Sequence, residues 1–409
     1  MSDRTVSLGE LVELRTEKVA TGKKDFEPYV GLENLGVSGS GLLGWSHASD
    51  SISLNSAFEP GDILFGKLRP NLQKCEQIEF SGYCSTELLV LRARPGVDPR
   101  FAARVLQSEP VFDEAIRSAE GTRMPRTSWN KIQAFRIPWI PPAHQRMIAD
   151  ILDTAGDMIR STERLIAKLD QVKQGLLHDL LTRGMDSNGH LRVDHTQQPG
   201  LYRDTQLGPI PMDWTVQLLD DVSVRGSGHT PNKDIAAYWN GGIKWVSLAD
   251  SARLDKIYIT ETDKEISDLG IVNSSAVKHR TGTVILSRDA GVGKSAILAQ
   301  EMAVSQHFIA WACGETLDNY YLYYWLQFMK PRFEAIAMGS TIKTIGLPFF
   351  RRLVIPLPRI DQQKTAAAQL LAADADIVRH QVELSKQRLL KQGLMDDLLT
   401  GRARVGASA

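Results

Sequence analysis

Cysteine is scarce in this 409-residue chain. There are three, Cys75, Cys84 and Cys313, an odd number with no CxxC spacing. That argues against a disulfide framework or a structural zinc site and points to a reducing cytoplasm. Net charge is missing as well: 48 Lys and Arg balance 48 Asp and Glu. The chain therefore lacks the bulk positive field of a non-specific nucleic-acid binder, although local clusters or partner subunits can still supply one. No charged-then-apolar leader opens the sequence. No apolar run is long enough for a bilayer; the nearest, Tyr320 to Met329, is too short and too aromatic.

Catalytic signatures are also absent. The histidines are scattered, and His279 and His307 have no carboxylate or cysteine at metal-ligand spacing. His144 and His178, with Asp153, Asp157, Glu163 and Asp170, read as the solvated face of a long helix. There is no Asn-Pro-Pro-aromatic or Asp-Pro-Pro-aromatic segment for amino-group methylation, and no nuclease-like Asp followed by Glu-x-Lys. The run Gly291-Val292-Gly293-Lys294-Ser295 invites a phosphate-loop reading, but that loop needs a glycine five residues before Gly293, where Arg288 stands. Ala296-Ile297-Leu298 then reads as a strand, not the helix a phosphate loop feeds. A basic hairpin loop fits better than a nucleotide site.

What is present is a repeat. Sliding the chain by about 218 residues places Gly121–Thr182 on Gly339–Thr400 without a gap. Ile137-Pro138 falls on Ile355-Pro356, and Gln145-Arg146 on Gln363-Lys364. Lys173-Gln174-Gly175-Leu176-Leu177-His178-Asp179-Leu180-Leu181-Thr182 falls on Lys391-Gln392-Gly393-Leu394-Met395-Asp396-Asp397-Leu398-Leu399-Thr400. With small shifts the match runs upstream: Asp98 onto Asp318, Leu88-Leu89-Val90 onto Phe308-Ile309-Ala310, Gly61–Phe65 onto Gly282–Leu286, and Tyr29–Leu32 onto Trp245–Leu248. The short matched runs read as strands, and Arg100–Gln107 and Tyr320–Phe328 as short helices. The framework repeats while the segments between it do not, so one mixed fold is used twice with different loops, where binding residues usually sit.

Two long helices follow from the periodicity. From Pro142 to Arg183, apolar residues at Leu152, Ile159, Leu169, Leu176 and Leu180 recur at steps near three and four. About 40 residues at 1.5 Å each give about 60 Å. The copy after Pro358 carries Ile377, Leu384, Leu394 and Leu398 and stops before Gly401. A helix this long with a narrow stripe needs a partner, and the nearest is its own copy. The fold class expected is α+β: two tandem mixed α/β domains, each followed by a long helix, the helices pairing as an antiparallel coiled coil. Residues 1–141 and 207–357 are the expected domains, 142–183 and 358–401 the helices, 184–206 a polar linker and 402–409 a tail.

Basic residues collect in the non-repeating loops. The first half has Lys23, Lys24, Lys67, Arg69, Lys74, Arg123 and Arg126; the second has Arg225, Lys233, Arg288, Lys294, Lys343 and Arg351. Amide and aromatic residues are interleaved: Asn71, Gln73, Trp129, Asn130, Tyr238 and Trp239. Phosphate contact by Arg and Lys, with base reading by Arg, Asn and Gln, needs this set.

With its paired Gly175–Thr182 and Gly393–Thr400 signatures, the Ile-Pro to Gln helix starts, and the central Asn188-Gly189 and Leu207-Gly208-Pro209-Ile210-Pro211-Met212-Asp213-Trp214 stretches, the chain resembles the specificity subunit of Type I restriction–modification systems. The first half departs from that pattern: Val6-Ser7-Leu8-Gly9-Glu10-Leu11 stands where the second has its Gly-Pro-Ile-Pro…Trp start. The Pro142-Ala143-His144-Gln145 start also lacks the acidic residue common before that Gln. The resemblance implies a non-catalytic protein whose two target-recognition domains each read half of a split DNA site, with the helices as a ruler. It implies two modification subunits carrying S-adenosylmethionine, and restriction subunits using ATP and Mg, with no cofactor in this chain. A structural coiled-coil adaptor with idle loop charges is one alternative, and a phosphate-loop-like nucleotide-binding protein using the Lys294 region is the other.

Overall fold

A computed structural model of the chain describes residues 4–20, 27–37, 41–48, 54–186, 188–339 and 343–403. The chain forms two compact units: Met1–Arg164 with Gln381–Ala409, and Leu165–His380. The central helix, Pro142–Thr182, and the C-terminal helix, Ile360–Leu399, each contribute to both.

In the first unit a four-stranded sheet runs in the order Val12–Leu14, Leu88–Ala93, Ile63–Gly66, Cys75–Gln77. The second unit repeats that order with Ser223–Ser227, Phe308–Cys313, Val284–Ser287 and Ser295–Leu298, and adds Tyr258–Ile259 at the edge. Its inner strands read as continuous apolar runs because both faces are covered. Ile63, Phe65, Leu89 and Leu91 join the main core of the first unit, while Leu64, Leu88 and Val90 face a smaller one. In the second unit Val284, Leu286, Ile309 and Trp311 face one core, and Ile285, Phe308 and Ala310 the other.

A second sheet repeats too. Pro28–Val30 pairs in parallel with Gly82–Cys84, as Trp239–Val246 does with Met302–Val304. The helices expected at Arg100–Gln107 and Tyr320–Phe328 differ in length. The first is Pro99–Leu106 followed by a separate helix, Glu109–Arg117, with a proline near its start. The second continues through Pro331 as Asn319–Ile336.

Each unit is fastened to its long helix by one glutamine. Gln145 Oε1 accepts from the Asp98 backbone N–H at 3.0 Å, and its Nε2 donates to the Ile140 carbonyl at 2.9 Å. Gln363 Oε1 accepts from the Asp318 N–H at 2.9 Å, and its Nε2 donates to the carbonyls of Pro358 at 2.8 Å and Thr316 at 2.9 Å. Both glutamines are buried, and Asp98 and Asp318 cap the helices that follow them. The Gln that marks the repeat in sequence is therefore a buried polar clamp whose bonds go entirely to backbone.

The two helices run antiparallel where they meet within each unit. In the first, Arg388 binds Glu163 at 2.7 Å, and Met395, Leu398 and Leu399 share a core with Ile148, Ala149 and Leu152. In the second, Lys173 binds Asp374 at 2.5 Å, and Leu177, Leu180 and Leu181 share a core with Ala366 and Leu370. Of the expected seam residues, Leu152, Leu180, Ile377 and Leu398 are buried; Ile159, Leu169, Leu176, Leu384 and Leu394 are half-buried. The narrow stripe misses Leu177, Leu181, Met395 and Leu399, which are buried. Near their ends the helices face a domain as well as each other, so the apolar face widens.

The stretch expected to be a linker carries structure. Gly184 closes the central helix at φ +63°, and a Cβ there would lie 2.4 Å from the Trp214 ring, so this position requires glycine. Tyr202–Thr205 and Gly208–Pro211 form a hairpin across the expected 206/207 boundary. The turn is Gln206-Leu207, and the composition that reads as a linker does not reveal the pairing.

Candidate nucleic-acid interface

In both units three separate loops meet at one end of the repeated four-strand set, held by equivalent backbone bonds. In the second unit the Arg288 N–H donates to the His307 carbonyl at 3.0 Å, and the Ile345 N–H to the Arg288 carbonyl at 3.0 Å. In the first the Lys67 N–H donates to the Glu87 carbonyl at 3.0 Å, and the Thr127 N–H to the Lys67 carbonyl at 3.0 Å. Isolated bridges complete the match: Asp289 to Thr344 and Met338 to Thr344 in one, Leu68 to Arg126 and Glu120 to Arg126 in the other. The fold thus brings Lys67, Arg69 and Arg126 together, and separately Arg288 and Lys343.

The same scaffold carries different chemistry. In the first unit Arg126 Nε reaches Glu87 Oε2 at 3.0 Å, with Arg69 and Arg123 exposed beside it. Arg69 sits at φ 50°, a left-handed turn position in the hairpin loop. In the second unit the buried carboxylate of Asp289 accepts from His307 Nδ1 at 2.8 Å and from the Thr344 hydroxyl. A carboxylate only accepts, so the hydrogen of that contact sits on Nδ1. Gln306 lies alongside, its Nε2 at 3.4 Å from His307 Nε2 and its Oε1 accepting from Thr230 Oγ1 at 2.6 Å. A hollow of about 430 Å³ adjoins, lined by Lys233, Trp239, Trp245, Lys264, Gln306 and His307 among others. Trp239 packs edge-on against Trp245, and the Lys264 ammonium lies over the Trp239 ring at 5.8 Å.

Other basic residues expected at the interface are placed differently. Lys74 Nζ donates to the Leu32 carbonyl at 2.8 Å, and Lys294 Nζ to the Ser251 carbonyl at 3.0 Å. Each ends its hairpin loop and turns its ammonium back onto the helical turn after the parallel strand, so these two lysines hold the loop. The Lys294 contact also answers the phosphate-loop question: Ser295 is buried and begins a strand, and Lys294 is spent on a backbone oxygen. Arg225 lies mid-strand with its guanidinium on Asp220 at 3.2 Å. Lys233, Lys343 and Arg351 are exposed. Lys23 and Lys24 lie outside the described residues.

Glu87, Asp289, Gln306, His307, Thr230 and Thr344 were not picked out as interface residues from sequence. A signal existed for two of them: Glu87 and His307 each immediately precede the matched strands Leu88–Val90 and Phe308–Ala310. Among the described residues no group of three His, Cys, Asp or Glu side chains could hold a metal ion. Burial pushes the Cys84 and Cys313 thiols up to about 12, which makes poor nucleophiles of them. No helix of the described residues is long and apolar enough to cross a membrane.

Residues 211–385 match the family described as Type I restriction modification DNA specificity domain. Among curated proteins, the chain is 28% identical over 171 residues to the Type I restriction enzyme MjaIX specificity subunit of Methanocaldococcus jannaschii, covering 41% of this chain and 40% of that one. It is 25% identical over 276 residues to the putative MjaX specificity subunit of the same organism, covering 67% and 61%. The alignments thus span less than two thirds of these relatives' own lengths. A chain from a structural study of the assembly and conformational transition of the type I R-M system matches over 98% of both chains at 19% identity, TM-score 0.63. The S subunit from M. genitalium matches over 98% of this chain and 96% of its own at 13% identity, TM-score 0.57. The resemblance to Type I specificity subunits stands, and the matched residues 211–385 include the Asp289, Gln306, His307 and Lys343 loops.

Proposed function

We propose that this chain is the DNA-reading subunit of a Type I restriction–modification complex, in which two target-recognition domains each read one half of a split site. The observation that carries this reading is the pair of equivalent three-loop junctions. Their backbone bonds agree, while their side chains differ: Glu87 and Arg126 in one, Asp289, Gln306 and His307 in the other. A conserved frame with exchanged polar tips suits two readers of different base sequences. Arg69, Arg123, Lys343 and Arg351 are the phosphate contacts; Gln306 and His307 offer an amide and a ring-nitrogen acceptor to base edges.

The antiparallel packing of the central and C-terminal helices supports a coiled-coil spacer, which would fix the distance between half-sites. Modification subunits would bring S-adenosylmethionine and methylate adenine at the positions this chain selects, and restriction subunits would add ATP-driven cleavage.

The test is binding of a duplex carrying the methylated motif, measured by anisotropy across a salt series. Reversing Arg69, Arg123 and Lys343 to Glu should weaken binding and lower the salt slope by about one per contact removed. Gln306→Ala should instead relax base preference in one half-site. An unchanged slope with full affinity means a structural adaptor.

A further inference from the structure

The hollow beside Gln306 and His307 has a chemistry that the loop junction does not use. Its volume is about 430 Å³, in the range of small-ligand clefts. Trp239 and Trp245 stand on its wall, packed edge to face with ring centroids 5.3 Å apart. Both indole N–H groups are spent on the chain itself: Trp239 donates to the Asn232 carbonyl at 3.1 Å, and Trp245 to the His229 carbonyl at 3.0 Å. Trp245 is buried with Ile266 and Ala303 and braces Trp239, which is half-buried. The Lys264 ammonium lies over the Trp239 ring at 5.8 Å, so that face meets a polar neighbour and not the core. Trp239 therefore offers carbon π surface and no hydrogen bond.

The repeat singles out one polar group on that wall. Ser305 matches Ser85 of the first unit. Ser85 Oγ accepts from the Glu87 N–H at 3.2 Å, inside its own turn. Ser305 is 1% exposed and lines the hollow, and its hydroxyl has no partner among the described residues. A buried hydroxyl without a partner is costly, and a ligand entering the hollow can complete it. Ser247, also on the wall, is already satisfied, because its hydroxyl donates to Asp250 at 3.2 Å. The rim charges are mixed, with Lys233, Lys264 and Asp263 all exposed, so the hollow is not built for a bare anion.

A flat ring with apolar faces and polar edges fits such a wall, and in DNA that is a nucleobase. In an intact duplex the faces of each base are covered by its neighbours, and only its edges reach a protein. A tryptophan whose N–H is already spent has no hydrogen bond to give to an edge; its gain comes from stacking, which needs an unstacked base. We infer that the second unit takes one base of its half-site out of the duplex and holds it in this hollow, stacked on Trp239 with an edge on the Ser305 hydroxyl. The base displaces the Lys264 ammonium from the ring, and Lys264 and Lys233 turn to the phosphates that flank it. The inference rests on the DNA-reading assignment above and adds a contact that reading the grooves does not require.

The experiment is equilibrium binding of the full chain to duplexes carrying the methylated motif, each with one mismatch, stepped through the half-site by changing one strand at a time. A mismatch removes the cost of opening a pair. At one position, with the extruded base kept and only its partner changed, binding should therefore tighten about tenfold. At the other positions mismatches should weaken binding or leave it unchanged. Trp239→Leu should weaken binding to the matched duplex about five- to a hundredfold and abolish the gain. Ser305→Ala should leave the thermal midpoint of the free chain unchanged, since no bond is lost, and weaken binding about two- to tenfold. Base preference with no mismatch that tightens binding, or a gain that survives Trp239→Leu, overturns the inference and leaves the DNA-reading assignment standing. Absence of base preference on every duplex overturns both. If Trp239→Leu fails to fold, Ser305→Ala takes its place beside the mismatch series, and full affinity in that variant overturns the inference.

Discussion

Replacing Gln363 with Leu is the sharpest perturbation of the frame that positions the second unit's three-loop junction. The side chain makes three bonds, all to backbone: the Asp318 N–H and the carbonyls of Pro358 and Thr316. Leucine is close in size, so little cavity forms, but the Asp318 N–H loses its acceptor in a buried site. That alone costs about 1–3 kcal/mol, and each carbonyl that loses its donor adds about 0.5–1.5 kcal/mol. The sum is about 2–6 kcal/mol, centred near 4. For a unit of roughly 200 residues, about 2–4 °C per kcal/mol gives a fall on the order of 10 °C. Gln145→Leu removes two bonds, not three, and should fall by less. The assay is calorimetric unfolding, with hydrogen exchange to locate the loss. Strands Val284–Ser287 and Phe308–Cys313 should lose protection in Gln363→Leu, and Ile63–Gly66 and Leu88–Ala93 in Gln145→Leu. A fall below about 1 kcal/mol in both, or a larger fall for Gln145→Leu, refutes the clamp.

Further expectations follow from the same contacts. Lys74→Met and Lys294→Met should lower stability and leave the salt slope of DNA binding almost unchanged, because both ammonium groups donate to backbone carbonyls; a slope change like that of Lys343→Glu would return them to the phosphate-contacting set. Burial holds the His279 imidazole below its ordinary range. Its folded value is thus below its unfolded one, so the unfolded chain takes up protons first. Stability should be complete above about pH 7 and fall as the pH drops through the unfolded value near 6.5; His279→Gln should flatten that slope in urea melts between pH 7 and 5. Asp289→Asn should free the His307 ring and reduce preference in one half-site only, read as binding to duplexes varied one half at a time. Equal loss in both halves would show a general folding defect.

Much of this fold was legible because the repeat supplied its own alignment. Matched apolar runs became the inner strands, and the matched Gln and Asp became the clamp and the helix caps. The helix ends were legible from Pro142 and Gly184. Burial along the helices was not, since Leu177 and Met395 face a domain that periodicity alone does not reveal. The loop junctions were half legible. Sequence could gather loop cations, but whether an ammonium meets solvent or a carbonyl depends on where a turn returns, as with Lys74 and Lys294. Asp289 and the Gln306-His307 pair come from separate loops and become neighbours only when the sheet forms.

The central claim is tested most directly by mapping methylated adenines across the native genome with this gene intact, deleted, and carrying Gln306→Ala with His307→Ala. The account predicts a split motif with a fixed gap that vanishes on deletion and, in the double variant, relaxes in one half while the gap stays constant. A map that is identical in all three strains while the partner subunits are expressed would contradict it.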